Sequence, residues 1–240
     1  MAQNGEKDWS KEPSTQIAVY KTDKALLELS DSLKPASNLF PAHMHASGEK
    51  AEEGDRSLIR LNMLDYSKGT GENTVSVFAN ISPEEARYIY SALFNHLMDF
   101  EYVQDKIFGE PNEEGYSFVT KIQIRRYETD SQGKKRNYPW FVEIQNGRGI
   151  ADVNSNGGTY CRKGSYFCEK AVKLFICDKD MFVLFCRANS YIDVFEQEVT
   201  FRQNRIGNFA SLYKLLKKEI NQIEEILISG EMDDGLGKAA

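Results

Sequence analysis

The sequence predicts an α+β protein made of two related units, each an antiparallel sheet followed by a helix, with a further C-terminal helix. Three observations lead there. Residues 58–66, LIRLNMLDY, set Ile59, Leu61 and Met63 against Arg60 and Asn62, the period-two pattern of a half-buried strand. Ser82-Pro83-Glu84-Glu85 carries an N-cap, a proline at the first helical position and a glutamate placed to close a capping box. The same succession then returns: IRLNMLDYSKG parallels IQIRRYETDSQG, and TVSVFANISPEEARYIYSAL parallels KAVKLFICDKDMFVLFCRAN.

Residues 1–56 are expected to be mostly flexible. Within them TQIAVYK (15–21) reads as a short strand, TDKALLELSDSLK (22–34) as a short helix capped by Thr22, and 35–56 as a linker. The first unit, 57–114, has its strand at 58–66, a turn at SKGTGEN, and a return strand at 74–81. Its helix places Ala86, Ile89, Tyr90, Leu93 and Leu97 on one face. The second unit, 115–200, has strands in SFVTKIQIRRYE and YPWFVEIQN, joined by the loop TDSQGKKRN. GRGIADV continues as a strand after a glycine bend, NSNGGTYCRKGSYF is a glycine-rich loop, and KAVKLFI (170–176) is another strand. Asp178 is expected to cap a helix whose Met181, Phe185, Ala188, Ile192 and Phe195 share a face. Residues 201–228 read as the C-terminal helix and 229–240 as a disordered acidic tail.

Composition narrows the function. With 41% hydrophobic and 28% charged residues the chain is an ordinary globular sequence. No apolar run approaches the ~20 residues that span a bilayer, and the first residues lack a hydrophobic signal core, so a cytoplasmic protein is expected. Cys161, Cys168, Cys177 and Cys186 form no C-x-x-C pair and have no histidine at zinc-ligand spacing. They read as reduced thiols, and His43 and His45 as two imidazoles of the linker, so neither metal nor cofactor is expected. Phosphate-loop, zinc-protease and nucleophile-elbow patterns are absent, which favours a non-catalytic protein.

Charge is distributed unevenly. Between Lys121 and Lys173 eleven Lys and Arg face five Asp and Glu, while the whole chain has a net charge of −6. The remainder therefore carries −12, and only this section suits a polyanion. Cations that track phosphates and rings that stack on bases are what single-strand binding requires. Arg125, the turn Lys134-Lys135-Arg136, Arg148, Arg162 and Lys163 are the phosphate candidates. Tyr127, Tyr138, Phe141 and Tyr166 are the stacking candidates. Arg125 and Tyr127 share a strand face opposite Ile122 and Ile124, and Phe141 faces outward with Glu143 and Gln145. Trp140, Val142 and Ile144 read as core. Gly147, Gly149, Gly157 and Gly158 would let a backbone approach phosphate closely. A turn such as Lys134–Arg136 is most often just a solvated hairpin tip.

The run IQIRRYETDSQGKKRNYPWFVEI, with NGRGI and KAVKLFICDKDMFVLF closing the unit, resembles the Whirly and transcriptional-coactivator single-stranded DNA-binding fold. The resemblance covers roughly residues 57–197. It implies two sheet-plus-helix units whose curved sheets hold single-stranded DNA, with RNA left open. The chain also resembles proteins of conjugative elements and phages of Gram-positive bacteria, which handle single strands. Two further expectations stay open: a homo-oligomer, and a protein partner or inhibitor function served by the acidic surface.

Overall fold

The computed structural model describes residues 14–34, 57–198, 216–218 and 220. Two compact units divide the chain at Asp193/Val194. In the second, the described residues 194–198, 216–218 and 220 are helical. The predicted tail, His43, His45 and most of the predicted C-terminal helix lie outside the described residues.

The described residues of the first unit form ten strands: β1 (Gln16–Lys21), β2 (Ala25–Ser32), β3 (Leu58–Asp65), β4 (Val75–Ile81), β5 (Phe100–Phe108), β6 (Ser117–Arg126), β7 (Trp140–Gly149), β8 (Ala151–Val153), β9 (Thr159–Cys161) and β10 (Phe167–Ile176). Helix α1 (Pro83–Phe94) follows β4 and α2 (178–198) follows β10. Antiparallel pairing gives one four-stranded sheet in the order β1-β2-β3-β4 and a second in the order β10-β7-β6-β5, with β8-β9 as a separate hairpin. The protein is thus α+β, with two antiparallel sheets each followed by a helix, the repeated unit that the Whirly resemblance implies.

The helix expected over 22–34 is strand β2. Leucines 26, 29 and 33 fit a helical spacing, but Ala25, Leu27 and Leu29 also alternate, and those three are the buried set. Pairing with both β1 and β3 satisfies the backbone on both sides, and tertiary context decides the ambiguous pattern. Thr22 still caps, but it caps a turn: its Oγ1 accepts from Ala25 N at 3.0 Å and donates to Ala25 O at 3.0 Å. β1 and β2 therefore lie within the stretch 1–56, and β5 lies within 57–114 yet pairs with β6.

The capping box of α1 is present: Glu85 N donates to Ser82 Oγ at 3.1 Å, and Ser82 N donates to Glu85 Oε2 at 2.6 Å. The helix stops before Leu97, which is exposed. His96 takes a left-handed φ of 52°, and Leu97 N donates to Ala92 O at 3.1 Å while His96 N donates to Leu93 O at 3.2 Å. That is a Schellman ending with histidine at the position glycine usually takes. For α2 the first helical bond runs from Met181 N to Cys177 O, so Cys177 is the N-cap and Asp178 the first helical residue. The Asp178 carboxylate turns instead to Arg126 and Trp140.

Leu27, Leu29, Ile59, Leu61, Met63, Val77, Ala79 and Ile81 from the first sheet are buried, as are Ile122, Ile124, Trp140, Val142, Ile144, Val172, Leu174 and Ile176 from the second. Ile89 and Leu93 of α1 and Met181, Leu184, Phe185, Ala188 and Ile192 of α2 complete the core. Arg87 and Asp193 join the two helices at 2.6 Å, and Tyr191 Oη donates to Asp31 of β2 at 2.7 Å. At the junction of the sheets, Phe78 of β4 stacks on Phe118 of β6, with centroids 5.6 Å apart and planes 16° apart.

Candidate nucleic-acid interface

Alternation along β6 and β7 divides the basic section by face. Ile122, Ile124 and Arg126 on β6, with Trp140, Val142 and Ile144 on β7, point inward. Lys121, Gln123, Arg125, Phe141, Glu143 and Gln145 occupy the opposite, half-buried face. Register then aligns them in cross-strand rows. Glu101, Arg125, Phe141 and Phe175 form one row across β5, β6, β7 and β10. Val103, Gln123, Glu143 and Lys173 form the next, and Asp105, Lys121, Gln145 and Ala171 the third.

The ring of Phe141 lies 5.4 Å from that of Phe175, which is 49% exposed. Arg125 sits beside them, ion-paired to Glu101 at 2.5 Å and donating to Tyr127 Oη at 3.4 Å. At the far end of the face, Lys121 Nζ lies 4.4 Å from the Tyr166 ring centroid and 2.7 Å from Asp105. Tyr166 Oη donates to Gln145 Oε1 at 3.1 Å, and burial pushes its phenol above the usual tyrosine range. The face thus carries rings at both ends and cations between them.

The other predicted residues are spread more widely. Tyr127 and Tyr138 are exposed where the β6–β7 loop leaves and rejoins the sheet. Asp130 organises the loop tip, accepting from Lys134 N and Gln132 N at 2.9 Å each, and these bonds hold its carboxyl below the usual range. Lys134 and Lys135 project into solvent there, while Arg136 Nε donates back to Thr129 O at 3.0 Å. Arg148 stands on the opposite face of β7, over the Phe118 ring at 5.9 Å and near Glu169 at 3.4 Å. It does not join Arg125, because 125 and 141 are opposite partners while 148 has the parity of the inward residues. Arg162 and Lys163 lie in the turn after β9, where Arg162 meets Asp152 at 3.3 Å.

Gly147 and Gly149 do not receive a phosphate. A Cβ at Gly147 would collide with the Phe167 carbonyl, and one at Gly149 with Cys161 Sγ and Val119. Those glycines admit the chain's own return through β8–β9 into β10. Gly157 turns the β8–β9 hairpin with φ +79°, and Gly158 packs against Asn154.

Sequence reasoning missed Lys121, Lys173 and Phe175. The signal was present as parity: Lys121 is four residues before Arg125 on one strand, and Lys173 and Phe175 alternate with buried Val172, Leu174 and Ile176. It also missed the pairing of cations with acids. Lys121, Arg125, Lys135, Arg148 and Arg162 each have a carboxylate within 4 Å. Among the described residues of the basic section Lys134, Arg136, Lys163, Lys170 and Lys173 have none.

No helix among the described residues is long and apolar enough to cross a membrane. No protein-family model and no curated protein matches the chain. Among solved structures the chain is similar to the plant transcriptional regulator PBF-2, with 10% identity and a TM-score of 0.44 over 80% of this chain and 94% of that one.

Proposed function

We propose that this protein binds single-stranded nucleic acid, DNA in the first instance, without catalysing a reaction on it. The observation that carries the reading is the Phe141–Phe175 ring pair, half exposed on an open sheet face with Arg125 in the same row and Lys173 in the next. Among the described residues neither ring pairs with any ring but the other, and Phe175 is 49% exposed, which leaves the outer surface of the pair available to a base. A base stacked there gains about 1–3 kcal/mol and leaves its phosphates near Lys173, Lys121 and Arg125. Tyr127 and Tyr138 extend the stacking surface, and Lys134 and Lys135 extend the phosphate track beyond the sheet. Arg162, Lys163 and Tyr166 flank its other end. A role in a mobile element follows from the sequence resemblance alone.

The test is fluorescence anisotropy with labelled single- and double-stranded oligonucleotides across a salt titration. Micromolar or tighter binding of the single strand, weakening with salt, is expected. Absence of single-strand binding at low salt overturns the reading. The cation–carboxylate pairs favour a second reading, a module that docks a protein partner through its acidic surface. In that case both oligonucleotides stay free and a protein is captured instead.

A further inference from the structure

The outer face of the first sheet carries a polar network that the proposal above does not use. Two cross-strand rows lie side by side there: Gln16, Ser30, Arg60 and Asn80 in one, and Val19, Glu28, Asn62 and Phe78 in the next. Hydrogen bonds run diagonally through them. Arg60 Nε donates to Asn62 Oδ1 at 3.0 Å, and Asn62 Nδ2 donates to Ser30 Oγ at 3.2 Å. Ser30 Oγ donates to Glu28 Oε1 at 2.6 Å, and Gln16 Nε2 donates to Glu28 Oε2 at 3.1 Å. Arg60 also lies over the Phe78 ring, 4.1 Å from its centroid, and Phe78 is stacked on Phe118.

Three properties of this face point to a base rather than a phosphate chain. Within the two rows one guanidinium and one carboxylate cancel, so the network itself offers no net attraction to a polyanion. Each donor and acceptor is held in place by its neighbour, which suits recognition by geometry. Among the described residues Arg60 is exposed, commits only its Nε and has no carboxylate partner, so its terminal N–H groups remain open. Each Glu28 oxygen accepts one hydrogen bond and retains capacity for another. Guanine is the base that presents two acceptors, O6 and N7, beside the donors N1–H and N2–H.

We propose that the first sheet reads a guanine of the bound strand, with Arg60 donating to O6 and N7 and Glu28 accepting from N1–H and N2–H. Phe78 holds the Arg60 plane, and Asn62 is a positioning residue between the two. The proposal rests on the single-strand reading and adds base preference to it, making the interface two-sided although the first half of the chain is acidic.

The experiment compares short oligothymidylates carrying one central guanine, adenine or cytosine with the unsubstituted strand. The guanine strand is expected to bind about fivefold tighter or better. Arg60→Ala and Glu28→Gln should each bring that ratio close to one while changing affinity for plain oligothymidylate by less than about twofold. Phe175→Ala should weaken all the strands together and preserve the ratio. A wild-type protein that binds all the strands equally overturns the guanine site and leaves the single-strand reading standing. A preference that survives both substitutions also overturns it. Failure of every strand to bind at low salt overturns both proposals.

Discussion

The side-chain amide of Asn146 brackets the backbone of Phe78, accepting from its N–H at 2.9 Å and donating to its carbonyl at 2.8 Å. Among the described residues β4 is the edge of the first sheet, and these two backbone groups have no strand partner. One side chain of β7 substitutes for a missing strand and locks the sheets at the Phe78–Phe118 stack. Asn146→Ala should cost about 2–3 kcal/mol in urea unfolding, since it leaves both backbone groups facing an apolar gap. A loss below ~0.5 kcal/mol would show that water replaces the amide freely.

Phe141 and its strand neighbour Trp140 should respond in opposite ways. Trp140 is fully buried and donates its indole N–H to Asp178 at 2.8 Å, so Trp140→Ala should destabilise by about 3–5 kcal/mol. Phe141→Ala and Phe175→Ala should cost about 1 kcal/mol or less in thermal unfolding, since each ring is only partly covered. Each should nonetheless reduce oligonucleotide affinity about five- to a hundredfold. Unchanged affinity in both would remove the ring pair from the interface.

Glu101 competes with any phosphate for Arg125. Glu101→Gln should tighten single-strand binding about two- to fivefold, the equivalent of an exposed ion pair. Lys173→Ala, which removes a cation with no acidic partner, should lower the salt slope by about 0.7. Arg162→Ala should change that slope less, because Asp152 already neutralises Arg162. Slopes equal to that of the unsubstituted protein in both alanine variants would assign both positions to bulk solvent.

Asp178 gives the fold an acid-sensitive element. The Arg126 guanidinium, foremost through its hydrogen bonds, holds the Asp178 carboxyl below the usual range, with the Trp140 indole adding to this. A carboxyl lowered by folding contributes stability that is complete above its unfolded pKa of about 4 and fades as pH falls through the folded value. Arg126 is 9% exposed while the Asp178 side chain is 56% exposed, so solvent screens one partner and not the other. Asp178→Asn should therefore cost about 1–2 kcal/mol at pH 7, less than a fully buried pair, and the deficit should shrink below pH ~4. A deficit independent of pH would mean that the indole bond, not the charge, matters.

Legibility of the sequence followed the strength of local signals. The α1 start was readable because Ser82, Pro83 and Glu85 each have one strong role, and the structure shows all three in it. β6 and β7 were readable because one face is buried and the other is not, which makes the alternation clean. β2 was not, because Leu26, Leu29 and Leu33 offered a helical stripe that only pairing on both sides could outweigh. Arg148 was grouped with Arg125 because proximity in sequence is not parity across a strand. Gly147 and Gly149 read as openings for a ligand in the sequence alone, which cannot show that a hairpin later in the chain fills the space. The network around Arg60 was invisible for a similar reason: its members come from three strands, and their net charge is nil.

The pairing of Lys121 with Asp105 and of Arg125 with Glu101 has a kinetic consequence. Matched charges one strand apart project little field beyond the ~8 Å screening length of physiological salt. Under the proposed single-strand reading, a strand would not be pulled in from a distance, so its arrival rate should stay near that of uncharged encounter, about 10⁵–10⁶ M⁻¹s⁻¹, and vary little with salt. In the proposed single-strand reading the rings act only after contact, so the dwell time of the complex, not the frequency of collision, would set how much strand is held.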